Sequence, residues 1–294
     1  MDRILFGDNQ FFGINHMSEE KARQQAARFQ DVDAIINVLD IAYEEGIRTF
    51  MCTTQDRMID ICEHFRQHKD RYEGFKFFPC MPYAHKYANA VTEYGFLGAL
   101  QRFLPSNSSK LAAMWKGGMS VAKRDIVGVA QLLIDSEMHM FQGLETPVIF
   151  LQNVATDFLL GLGFRDAFRI FADHVAKKYG AEPGFITMNL PRLLNVLEGL
   201  GFDDPIISFN LNKIGFRMCG GIDQYEKIIA TRKFRPIAMS VLASGALHAR
   251  DAIEYVAQQK NVRSLVFGAS GKAHIKETKL LINELYAARG PHLP

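Results

Sequence analysis

The sequence predicts an α/β fold, a (β/α)8 TIM barrel, and three observations predict it. Short apolar runs alternate with helix-forming segments through most of the chain, and eight such strand–helix units can be counted. The connections are mostly short, as parallel βαβ units require. The length, 294 residues, is usual for one barrel, and no low-complexity linker marks a second domain, so residues 1–294 read as a single domain.

Taken in order, residues 4–7 form the first strand, followed by Asp8-Asn9-Gln10. Ser18 has the character of an N-cap, with Glu19 and Glu20 in the first turn of a polar helix. A second helix over 31–45 puts Ile35, Ile36, Leu39 and Tyr43 on one face, and Gly46 ends it. The strand 47–52 runs into Thr53-Thr54-Gln55-Asp56, a helix covers 56–67, and a third strand covers 75–80. Residues 83–146 then break the rhythm with helical stretches near 83–104, 109–116 and 121–141, a helical insertion between the third and fourth strands. It reads either as a lid over the strand ends or as a helical annex. The alternation resumes with strands at 147–151, 184–188, 205–209, 236–241 and 264–267, and with helices at 163–179, 191–200, 223–232, from 245 to about 260, and 272–287. Pro191 suits a first helical turn.

Composition narrows the function. Apolar residues make up 48% and charged residues 22%, and the net charge of +2 creates no basic face for nucleic acid. Cys52, Cys62, Cys80 and Cys219 form no CxxC pair, which favours a reducing, cytoplasmic setting. No apolar run is long enough to span a membrane. The histidines and cysteines show no metal-ligand spacing, and His64 and His68, four apart on a helix, read as a solvated face. Cys52 and Cys80 read as small buried hydrophobes. The subunit count stays open, a homo-oligomer included.

In a barrel of this kind the active site lies where the strands end. The residues there are rich in carboxamides and hydroxyls, which orient polar ligands without titrating. Asn9, Gln10, Thr54, Gln152, Asn153, Asn189 and Asn210 are therefore candidate substrate contacts. Asp8 and Asp56 are the carboxylates expected to face the cavity, where burial would raise their pKa values and suit them to general acid–base work. For Asp56 the alternative is a helix N-cap. Tyr83 and His85 are candidate proton donors, and Lys213 is a candidate amine nucleophile if desolvated. Near the C-terminus the run 264–267 stops at Gly268-Ala269-Ser270-Gly271, and a helix begins at Lys272 with His274 in its first turn. Free backbone N–H groups, a helix dipole and a lysine together make an anion cradle, for phosphate or carboxylate. The alternative is a tight strand-to-helix turn and nothing more.

Three stretches resemble the aldo-keto reductase barrel: Ala42-Tyr43-Glu44-Glu45-Gly46-Ile47-Arg48-Thr49-Phe50, Pro236 through Leu247 with its Ser244-Gly245 turn, and Val266-Phe267-Gly268-Ala269-Ser270 followed by His274, Ile275 and Glu277. The resemblance covers most of the chain in element order. It implies NADP as cofactor, with Ser270, Lys272 and His274 holding the adenosine phosphate and Ser244 and Gly245 near the pyrophosphate. The family's catalytic Asp, Tyr, Lys and His have no counterparts at the matching positions. The Asp-Thr-Ala segment reads Met51-Cys52-Thr53 or Cys52-Thr53-Thr54, no Tyr lies between Gln55 and Asp60, the Lys position falls near Cys80-Met81-Pro82, and the His position is Asn153. The leading expectation is therefore a metal-independent isomerase or lyase acting by proton transfer on a small phosphorylated or nucleotide-bearing molecule. The rivals are an NADP-dependent oxidoreductase with relocated acid groups and a non-catalytic metabolite-binding protein.

Overall fold

Eight parallel strands close on themselves in the order β1-β2-β3-β4-β5-β6-β7-β8 in the computed structural model, which describes residues 1–14, 17–83 and 123–288. The strands are β1 (Ile4–Gly7), β2 (Thr49–Thr53), β3 (Lys76–Met81), β4 (Val148–Leu151), β5 (Glu182–Thr187), β6 (Ile206–Asn210), β7 (Arg235–Met239) and β8 (Ser264–Phe267). Closure comes from β1 pairing with β8, Ile4 opposite Leu265 and Phe6 opposite Phe267. Among the described residues ten α-helices surround the barrel: α1 (Glu19–Arg28), α2 (Val32–Glu44), α3 (Met58–Gln67), α4 (Lys123–Met138), α5 (Asn153–Leu162), α6 (Asp166–Tyr179), α7 (Leu190–Gly199), α8 (Ile222–Thr231), α9 (Ala249–Gln258) and α10 (Lys272–Ala287).

Strand residues alternate between two cores, as the two-residue period of a strand demands. Leu5, Met51, Phe78, Val148, Phe150, Ile186, Ile206 and Ile237 form one buried cluster that fills the barrel. Their neighbours Phe6, Phe50, Phe77, Ile149, Phe185, Ile207 and Leu265 belong to a larger cluster shared with the helices. Lumen space is tight at β4–β5. Gly184 lies opposite Phe150, and a Cβ there would stand 2.4 Å from the phenyl ring. The lumen is thus packed core, and chemistry is left to the strand exits.

The polar helix expected after Ser18 is α1, and the Ser18 hydroxyl accepts from the Lys21 N–H at 3.2 Å. The helix α2 buries Ile35, Ile36 and Leu39 as expected, adding Val38 and Ala42 while Tyr43 stays half-buried. One helix was not expected. Asn153–Leu162 is α5, ended by Gly163 in the left-handed conformation (φ 73°), so the helix placed at 163–179 is α6, beginning at Asp166. The long β3–β4 connection ends in α4. The stretches expected within 84–122, and His85 with them, lie outside the described residues.

Candidate active site at the barrel mouth

Because all strands are parallel, their C-terminal ends open on one face. Asp8 follows β1 directly and is buried, 6% exposed. Its Oδ2 accepts the Thr53 backbone N–H at 2.7 Å and the Thr53 hydroxyl at 2.6 Å, tying the β1 exit to the last residue of β2. Gln55 Nε2 reaches Thr53 Oγ1 at 3.4 Å. Burial pushes the Asp8 carboxyl above the usual carboxylate range, and the Thr53 bonds only partly oppose it. Tyr83, two residues beyond β3, is half-buried, and its phenol is pushed up first by burial and then by the Asp8 charge. Cys52 and Cys80 are raised by burial and by the same charge, so both thiols stay protonated, as expected of small buried hydrophobes. Asp8 thus lies electrically at the centre of the first three strand exits.

A second buried carboxylate belongs to this group. Glu137, in the last turn of α4, is 2% exposed. Its Oε2 accepts the Thr54 hydroxyl, and both of its oxygens lie 3.2 Å from the Tyr83 N–H. Sequence reasoning passed it over because a glutamate in a helical segment reads as part of a solvated face.

On the far side the amides are engaged with their own loops. Asn189 caps α7, accepting from the Arg192 N–H at 3.2 Å. Asn210 Nδ2 donates to the Arg217 carbonyl at 2.8 Å, and Asn212 bonds the Phe216 carbonyl and N–H at 2.9 and 2.7 Å. Gln152 is buried at the β4 exit, its N–H on the Met81 carbonyl at 2.8 Å, and Asn153 opens α5. Two expectations are corrected here. Asp56, expected to face the cavity, lies on an exposed turn ahead of α3, and Lys213 is exposed after β6 and not buried at the mouth.

The β7 and β8 exits are backbone-dominated. Ser240, Ala243 and Ser244 all have positive φ (54°, 45° and 58°), and Gly245 follows at 89°. Left-handed backbone at non-glycine residues costs on the order of 1 kcal/mol or more each and collects at functional loops. After β8, Gly268 packs against Gln10: a Cβ there would stand 2.0 Å from Gln10 Oε1, whose amide donates to the Gly7 carbonyl at 2.8 Å. Arg28 at the end of α1 donates to the Ser270 carbonyl at 2.5 Å. Gly271 caps α10 without a side-chain bond, and nothing lies within 4 Å of its would-be Cβ. Lys272 and His274 are exposed in the first turn, and Ala269 is half-buried in the loop. Open space, uncapped N–H groups and a nearby cation fit an anionic group such as a dinucleotide phosphate. Asn9 is exposed where the first loop begins. Among the described residues no group of histidines, cysteines and carboxylates could hold a metal ion, and no helix is long and apolar enough to cross a membrane.

The fold is a (β/α)8 barrel, and the candidate site residues follow its strands. Solved structures of similar fold include aldo-keto reductases. A Pseudomonas aeruginosa protein assigned to the aldo-keto reductases aligns over 97% of this chain and 90% of its own, at 12% identity and a TM-score of 0.61. An aldo/keto reductase from Brucella melitensis matches over 98% and 94% at 9% identity (TM-score 0.53). The glycerol dehydrogenase of Gluconobacter oxydans matches over 100% and 94%, also at 9% and 0.53. At such identities the likeness is one of fold. No protein-family model and no curated protein sequence matches the chain.

Proposed function

We propose that the protein is an oxidoreductase on an aldo-keto-reductase-like barrel, interconverting a small carbonyl compound and its alcohol with NADP. The observation that carries this reading is the β8–α10 turn. Its open glycine corner, its uncapped helix start and the flanking Lys272, His274 and Arg28 suit the phosphate of a dinucleotide. The solved structures of like fold, a glycerol dehydrogenase among them, support the same class. Ser270, Lys272 and His274 would hold the adenosine phosphate, and the left-handed Ser244-Gly245 corner the pyrophosphate. When bound, the cofactor supplies or accepts a hydride.

The chain's own residues handle the proton. Tyr83, its phenol kept protonated by burial, offers a hydroxyl to the substrate oxygen. Asp8, which holds its proton to higher pH than an exposed carboxyl, replenishes it. Gln152 at the β4 exit and Thr54 at the β2 exit, both buried on either side of β3, limit water. The same buried Asp8 favours a second reading, an isomerase or lyase moving a proton on a phosphorylated substrate. Titration with NADPH, followed by quenching of protein fluorescence, separates the two. Saturable binding weakened by Lys272→Ala is expected, and its absence would remove the redox reading while leaving the proton-transfer one.

A further inference from the structure

We infer that Glu137 is the positioning residue of the mouth: a buried carboxylate that grips the β3 exit through the Tyr83 backbone and so sets where the Tyr83 hydroxyl stands. This rests on the reading of Tyr83 and Asp8 as the proton-handling pair. A carboxylate at 2% exposure is costly unless hydrogen-bonded, and the bonds of Glu137 join three separate elements. Thr54, fully buried at the β2 exit, donates its hydroxyl, and the Tyr83 N–H lies 3.2 Å from each oxygen. Pro82 has no N–H, so that of Tyr83 is the first donor past Met81, the last residue of β3. Left in a buried place without an acceptor it would cost about 1–3 kcal/mol.

Packing alone does not call for a carboxylate here. Ile134 and Met138 of the same helix are 3% and 6% exposed and already give α4 its apolar contact with the core. What an acceptor adds is direction. The helix is itself anchored from outside, because Asp135, two residues earlier, accepts His174 Nε2 at 2.7 Å and Lys178 Nζ and the Tyr179 hydroxyl at 2.5 Å, all from α6. One helix thus holds α6 with one carboxylate and the β3 exit with the next. The rigid support that a proton donor needs comes from the long β3–β4 connection.

The test labels tyrosine at Cζ with 13C in the full-length protein, assigns the Tyr83 signal with Tyr83→Phe, and follows it against pH. In the wild type the Tyr83 signal should ionise above an ordinary tyrosine. In Glu137→Met, which keeps the volume and removes the acceptor, the signal should move and its ionisation should fall toward that of an exposed tyrosine. Glu137→Gln, which retains one acceptor oxygen, should restore most of the wild-type behaviour. Should Glu137→Met fail to fold, Thr54→Val removes the other anchor and should produce a smaller displacement in the same direction. A folded Glu137→Met, or Thr54→Val in its place, with an unchanged Tyr83 shift and titration would overturn the inference. A displaced Tyr83 in a protein that binds no NADPH would sink the redox reading and leave the positioning role intact.

Discussion

The two sides of the barrel mouth are built from opposite materials. Around β1, β2 and β3, buried side chains bond across elements: Asp8 to Thr53, and Glu137 to Thr54 and the Tyr83 amide. Around β5 to β8 three carboxamides bond within their own loops, Asn189 to Arg192, Asn210 to Arg217 and Asn212 to Phe216, while Asp157 of α5 accepts from the Thr187 hydroxyl and the Met188 N–H across the β5 exit, and left-handed backbone collects in the 240–245 turn. Charge held out of water gives a group that titrates abnormally, whereas backbone corners give shape and N–H donors. On the proposed function the first side would move protons and the second would hold an anion, with Asp157, a carboxyl also pushed up by burial, standing at the β5 exit between them.

If that division is right, Asp8→Asn should have the largest effect. Reduction of a panel of aldehydes and ketones with NADPH should fall about 10²–10⁴-fold, the usual worth of a proton-transfer group. The same variant should be more stable. A carboxyl raised on folding disfavours its own ionised form, so its cost is absent below the unfolded pKa and grows as pH rises through the folded one. Removing it should raise Tm by about 2–4 °C in thermal melts at neutral pH, and less in acid. An unchanged Tm with lost activity would mean that Asp8 carries no burial penalty.

Gly268→Ala comes next and probes the other side. The added methyl displaces the Gln10 amide from its place under the turn, so NADPH affinity should drop about tenfold, read from the same fluorescence titration, with little change in the Tyr83 signal. Asn212→Ala should cost about 1–2 kcal/mol in urea unfolding, since both partners on Phe216 are lost, and leave activity per folded molecule within about twofold. A large loss of activity from Asn212→Ala would erase the division between the two sides.

How far the sequence exposed this arrangement depends on which force placed each residue. The strands were legible because alternation and apolar runs follow from burial on both faces: Ile4–Gly7 and Ser264–Phe267 fall where the residues put them, as does Lys272–Ala287. The helix α5 was hidden because its apolar residues do not mark a buried face. Val154, Phe158 and Leu162, four apart, are each largely exposed, so the expected stripe points to water. Asp8 was legible as the residue after a strand. Asp56, equally placed in sequence, was misjudged because burial depends on the turn that follows, and that turn faces solvent. Glu137 was illegible in principle: its burial is set by Thr54 and Tyr83, 83 and 54 residues away along the chain.

The smallest effect is also the sharpest check on the first side, because it concerns Asp135, the α4 carboxylate two residues before Glu137. Burial pushes the Asp135 carboxyl up, but bonds from Lys178, Tyr179 and His174 together outweigh it and hold it below the ordinary carboxylate range. A depressed carboxyl contributes stability that is present above its unfolded pKa and lost as pH falls through the folded one, the reverse of Asp8. Asp135→Asn should therefore lower stability at neutral pH, and by no more than about 1 kcal/mol because water screens the site. That deficit against the wild type should close only in melts carried below the folded carboxyl's own titration, under the ordinary carboxylate range, where both proteins lack the charge. The Asp8→Asn difference should also shrink on acidification, but from the opposite sign. If instead both variants shifted Tm in the same direction at neutral pH, α4 would not be anchored outside by a charge stabilised on folding, and the contrast between a carboxyl kept for chemistry and one kept for docking would fail.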